Sequence, residues 1–88
     1  MNWIIGIGGS AMDNVVTYRV SGTKEKVKKQ LVKEIIKDQA NDPGEWVNGT
    51  TNIYEITEEK SGRLYGYGCY AYYHLDYTAT PEMDVVAL

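Results

Sequence analysis

Eighty-eight residues, 43% hydrophobic and 24% charged, match ordinary soluble globular chains and leave room for one small domain, 1–88, and no second. The net charge of −3 argues against a general nucleic-acid binder, and a single cysteine, Cys69, excludes an intrachain disulfide. A domain of this size buries only about two thirds of the surface its unfolded chain exposes, so modest stability or self-association is expected.

The start, Met1-Asn2-Trp3-Ile4-Ile5-Gly6, lacks a basic region, and its apolar run is too short for a signal peptide or a membrane span. A cytoplasmic location with no membrane contact is the expectation. Trp3 to Ile7 reads as a first or edge strand that ends in the turn Gly8-Gly9-Ser10. From Asn14 to Val20 the residues alternate, with Val16, Tyr18 and Val20 on one side and Val15, Thr17 and Arg19 on the other, the pattern of a half-buried strand.

Ser21-Gly22-Thr23 stops that strand, and the Thr23 hydroxyl suits the cap of a helix from Lys24 to about Gln39. Val27, Leu31 and Ile35, widened by Val32 and Ile36, form its apolar stripe, while Lys26, Lys29, Lys33 and Lys37 lie opposite. Lys28 falls among the apolar positions, where its stem can pack while its ammonium reaches water. Asn41-Asp42-Pro43-Gly44 ends the helix. Asn48-Gly49 predicts a tight hairpin turn into a strand over about Asn52 to Thr57. Glu58 to Gly62 predicts a looser hairpin into a long strand over about Arg63 to Thr78, with a bulge or bend at Gly66 or Gly68. Beyond Pro81, Asp84 to Leu88 reads as a short terminal strand or docked tail. One amphipathic helix among alternating strands predicts an α+β fold, an antiparallel sheet of four or five strands with the helix across one face.

Six of the eight tyrosines lie between Tyr65 and Tyr77, in a chain without phenylalanine. Tyrosine combines a large apolar ring with a hydroxyl, so such a strand can line a core and still offer a hydrogen-bonding surface. Strict alternation puts Tyr65, Tyr67, Cys69, Ala71, Tyr73, Leu75 and Tyr77 on the core side. Leu64, Gly66, Gly68, Tyr70, Tyr72, His74, Asp76 and Thr78 then face away from the helix, joined by Thr17, Arg19 and Glu55 from neighbouring strands. A bulge at either glycine would invert part of this assignment.

Motifs of catalysis are weak. Gly6-Ile7-Gly8-Gly9-Ser10-Ala11 matches the dinucleotide fingerprint, but a strand follows where that mechanism needs a helix opening on the glycines. His74 is the only histidine, and alternation turns it away from Cys69, which disfavours a thiolate pair. One cysteine and one histidine cannot build a structural zinc site, and the acids are too dispersed for paired-carboxylate chemistry. Charge is nonetheless polarised, with +3 over Lys24 to Asp38 and −6 from Gln39 to Leu88. The lysine row suits a solvated helix face or phosphate contacts, and the acids suit solubility or phosphate mimicry.

The stretch Asn14-Val15-Val16-Thr17-Tyr18-Arg19-Val20-Ser21-Gly22-Thr23, then Val27-Lys28, Leu31, Asn41-Asp42, Trp46 and Gly49-Thr50, resembles small proteins carried by phages and mobile elements of Firmicutes. The resemblance spans about the middle half of the chain. Families of that kind include anti-CRISPR proteins and other inhibitors of bacterial immunity, which bind a defence protein or sequester its nucleotide signal. The resemblance therefore implies a stoichiometric inhibitor. It carries over no site residue.

Together these features predict a non-enzymatic binding protein with no cofactor, no metal and no catalytic residue. The expected contact residues are Tyr70, Tyr72, His74, Asp76, Arg19 and Glu55. The expected partner is a protein, with a nucleotide ligand as an alternative. A nucleic-acid module that uses the lysine helix and the tyrosines, or a homodimer packed through tyrosine faces, are the other readings.

Overall fold

The strands and helix appear in the order β1 (Asn2–Gly9), β2 (Val16–Ser21), α1 (Lys24–Asn41), β3 (Trp46–Gly49), β4 (Thr57–Glu58), β5 (Leu64–Tyr70) and β6 (Tyr73–Pro81). A computed structural model describes residues 1–9, 15–41, 46–70 and 73–82. The sheet runs β2-β1-β6-β5-β3, with β4 pairing β5 beside β3, and all its pairings are antiparallel. The fold is α+β, with the one helix packed on the sheet, as the sequence predicts.

Local chemistry accounts for the helix. Thr23 Oγ1 accepts from the Lys26 amide at 3.3 Å, which satisfies one of the open donors of the first turn. Val27, Leu31, Val32 and Ile35 are buried, and they meet Trp3, Ile5 and Ile7 of β1, Leu64 of β5, and Tyr77 and Ala79 of β6 in one core. Ile36 lies outside it, nearly half exposed. The Lys28 stem is largely covered while its ammonium faces Glu25 at 3.7 Å, the expected division of that side chain. Trp3 Nε1 donates to Gly22 O at 3.2 Å and ties β1 to the turn that starts the helix.

The region after the helix departs from the sequence reading. Asn48 and Gly49 make no hairpin turn; they pair with Cys69 and Gly68, with a bulge between Trp46 and Asn48. Instead of a strand over Asn52 to Thr57, Ile53–Glu55 form a 3-10 turn followed by the two-residue β4. The turn carries a capping box: Asn52 Oδ1 accepts from the Tyr54 amide at 2.9 Å, and Glu55 Oε2 accepts from the Asn52 amide at 3.0 Å. The Asn52-x-x-Glu55 spacing signals this in the sequence. The following hairpin is as expected. It links β4 to β5 through Glu59 to Gly62, where Gly62 has φ 90°, a conformation that disfavours any side chain.

The tyrosine run is two strands. β5 and β6 pair from Leu64↔Ala79 to Tyr70↔Tyr73, joined across residues 71 and 72. Positions opposite each other share a face, so an even-numbered residue of β5 shares its side with an odd-numbered residue of β6. Leu64, Gly66 and Gly68 therefore face the helix with Leu75, Tyr77 and Ala79. The assignment of Tyr65, Tyr67 and Cys69 to the core is overturned, while that of Leu75 and Tyr77 holds. The glycines mark close packing rather than a bulge. A Cβ on Gly66 would sit 3.0 Å from Ile56 Cδ1 and 3.1 Å from Ile35 Cδ1, and one on Gly68 would sit 2.4 Å from the Trp46 ring. Tyr77 is fully buried and its hydroxyl donates to Asp38 Oδ2 at 2.6 Å; burial, then that bond, pushes its phenol well above the ordinary range.

Candidate functional site

With α1 on one side, the opposite face of the sheet is the candidate site. Register alone assembles it. Thr17, Gly6, Thr78 and Tyr65 form one row across β2, β1, β6 and β5; Gly8, Asp76 and Tyr67 form the next; and His74, Cys69 and Asn48 form a third. Gly6 and Gly8 put no side chain of their own on this face: Thr78 Oγ1 lies beside Gly6 and the Val15 methyls lie over Gly8, while Tyr65 and Tyr67 stand on β5, on the far side of β6.

Asp76 organises the polar part of this surface. Its Oδ1 accepts the Tyr65 hydroxyl at 2.6 Å and lies 3.2 Å from His74 Nε2. The bond to Asp76, reinforced by burial, holds the Tyr65 phenol up at about 12. His74 is 58% exposed at its side chain and Asp76 41%, so both reach solvent. Tyr67 stands beside them, 42% exposed. Nearer the sheet margin Arg19 Nη2 of β2 meets Glu82 Oε1 at 2.9 Å.

The expected site residues divide accordingly. His74, Asp76 and Arg19 lie on the helix-free face, the first two in direct contact. Glu55 does not. It sits in the 3-10 turn beside β4, where the Thr51 and Asn52 amides hold its carboxyl below the usual range. Tyr70 closes β5, its backbone paired with Tyr73. Its side chain, and Tyr72 altogether, lie outside the described residues. Tyr65, Tyr67 and Cys69 occupy the face, beside Thr78, which was expected there. The signal that finds them is Leu64-x-Gly66-x-Gly68, an apolar and small-residue set that fits under a helix.

Cys69 and His74 are cross-strand partners, so they share a face rather than facing apart. His74 turns its Nε2 to Asp76 Oδ1, 3.2 Å away. The glycine fingerprint is absorbed by β1, whose neighbour β2 runs antiparallel, so no βαβ unit holds a dinucleotide there. Among the described residues no three His, Cys, Asp or Glu side chains are placed to hold a metal ion, and no helix is long and apolar enough to cross a membrane. The lysine row lies on the helix layer, opposite Tyr65 and Tyr67, which separates the two halves of the nucleic-acid reading.

A concavity of about 630 Å³ opens between Trp3, Met1, Pro81 and the start of α1, away from the tyrosine cluster. Of its two lysines, Lys24 and Lys26, the first is paired with Glu58. No family model, curated protein or solved structure matches the chain.

Proposed function

We propose that this chain is a non-enzymatic binding protein that engages a protein partner, one to one, across the helix-free face of its sheet. The observation that carries the reading is the Tyr65–Asp76–His74 cluster with Tyr67, rings and hydrogen-bonding groups set on the paired strands β5 and β6. Amphipathic rings of this kind supply contact area at low entropic cost, a property shared by protein-binding surfaces. The one arginine on the face, Arg19, is already paired with Glu82, and the Asp76 carboxylate is taken up by the Tyr65 hydroxyl. Such a surface suits a protein better than a phosphate-bearing ligand, which needs uncompensated positive charge. The narrower form, an inhibitor of a bacterial defence system, is supported by the resemblance of residues 14–23 and their followers alone.

A photo-crosslinking amino acid placed at Tyr67, and separately at Lys29 on the helix layer, tests the face. The reading expects one species captured from Tyr67 and not from Lys29, displaced by the unlabelled protein but not by its Tyr67→Ala, His74→Ala variant. Equal capture from both faces would sink it, and capture of a second copy of the chain would replace it with the homodimer.

A further inference from the structure

β2 is the last strand of the sheet, and among the described residues it pairs only with β1. The phase of that ladder follows from its end. Gly22 N donates to Met1 O at 3.0 Å, one step beyond the Asn2↔Ser21 pair. Hydrogen-bonded and non-bonded pairs alternate in an antiparallel ladder, so Val20, Tyr18 and Val16 direct their main-chain groups to Trp3, Ile5 and Ile7. Ser21, Arg19 and Thr17 turn theirs away from β1. The other side of β1 agrees: Glu82 N donates to Asn2 O at 2.8 Å, so Asn2 bonds toward β6 rather than to Ser21.

The two margins of the sheet are unlike. β3 has four residues and a bulge, and β4 has two, the short and irregular form that discourages strand addition. β2 is a regular run of six residues without proline or bulge. Its helix side is also open. Val16 is nearly half exposed, and a groove of about 220 Å³ lies between β2 and α1, lined by Val20, Ser21, Lys26, Val27 and Gln30. Gln30 and Glu34 are fixed to this side by their bonds with the Tyr18 hydroxyl, at 3.0 and 3.1 Å, the Glu34 carboxylate is also met by Lys37 at 3.6 Å, and Lys33 follows Gln30 by one helical turn.

We propose that the open edge of β2 is a strand-docking site that takes an extended acidic segment of a partner protein. Thr17, Arg19 and Ser21 supply the main-chain pairing. The segment's intervening side chains lean toward the helix, where Lys26 and Lys33 meet carboxylates. Charge argues against a second copy as the occupant. Antiparallel pairing of two β2 strands about their middle brings Arg19 close to its own copy and the lysine-bearing sides of the two helices together. The site uses main-chain groups at the sheet margin and does not rest on the tyrosine face.

The probe is a fluorescein-labelled peptide about eight residues long that alternates valine with glutamate, read by fluorescence anisotropy at low salt against its lysine-for-glutamate counterpart. The glutamate peptide should bind at least about tenfold tighter than the lysine peptide, and Lys26→Glu with Lys33→Glu should remove that preference. Thr17→Pro deletes an outward amide without touching the β1 ladder, so it should abolish binding while Thr17→Ala does not. Should Thr17→Pro fail to fold, N-methylation of alternate peptide amides makes the same test on the unaltered protein. Tyr67→Ala should leave peptide binding unchanged, which separates this site from the face. The proposal is overturned by absence of binding, by equal affinity for the two peptides, or by full binding to folded Thr17→Pro. It is also overturned by a dimer that Thr17→Pro dissociates, or by peptide binding only in a chain shortened to end at Glu82.

Discussion

Replacing Tyr77 by phenylalanine keeps the buried ring and deletes one hydroxyl, which isolates the bond to Asp38 Oδ2. A hydrogen bond to a charged acceptor contributes about 1.5–3 kcal/mol, so Tyr77→Phe should lose about 2 kcal/mol near neutral pH. The loss should depend on pH in a defined direction. The folded phenol lies well above its ordinary value of about 10, to which it returns on unfolding. Its contribution is therefore complete below about pH 10 and is lost as pH rises toward the folded value, at about 1.4 kcal/mol per pH unit. By about pH 11 the gap between the native and Tyr77→Phe chains should have narrowed by about 1.4 kcal/mol. Urea unfolding of both chains by circular dichroism, near pH 7 and near pH 11, measures this, and the other seven tyrosines cancel because both chains carry them. A gap that stays constant across that range, or is absent near neutrality, would refute a buried phenol held by Asp38.

Three further outcomes follow from the same geometry. Gly68→Ala puts a methyl 2.4 Å from the Trp46 ring, so it should destabilise by about 1–3 kcal/mol in urea unfolding through overpacking. Leu64→Ala, at a fully buried position, should cost about 2–5 kcal/mol, whereas Tyr67→Ala three residues along β5 on the outer face should leave the stability within about 1 kcal/mol. Asp76→Asn should let the Tyr65 phenol fall from about 12 toward its ordinary value, seen as an earlier phenolate step in absorbance and assigned with Tyr65→Phe.

What was legible in the sequence was what repeats within one element. The helix stripe of Val27, Leu31 and Ile35, the Thr23 cap and the alternation of β2 are local patterns, because a helix or strand carries its own period and its buried side can be read along it. They determined the α+β class and placed Arg19 on the outer face. The parity of the tyrosine run was different in kind. It depended on the antiparallel pairing of β5 with β6, which exchanges odd for even positions, and periodicity has no memory from one strand to the next. His74 and Asp76 were placed correctly because β6 keeps the parity that Tyr77 and Ala79 require, whereas Tyr65 and Tyr67 were not. Only pairing between distant strands could decide which glycines lie under the helix, that Glu55 caps a turn rather than joining the sheet, and that β2 ends it with one row of main-chain groups directed outward. Those outcomes are set by partners far apart in the chain, and tertiary packing alone selects among the registers that a local pattern permits.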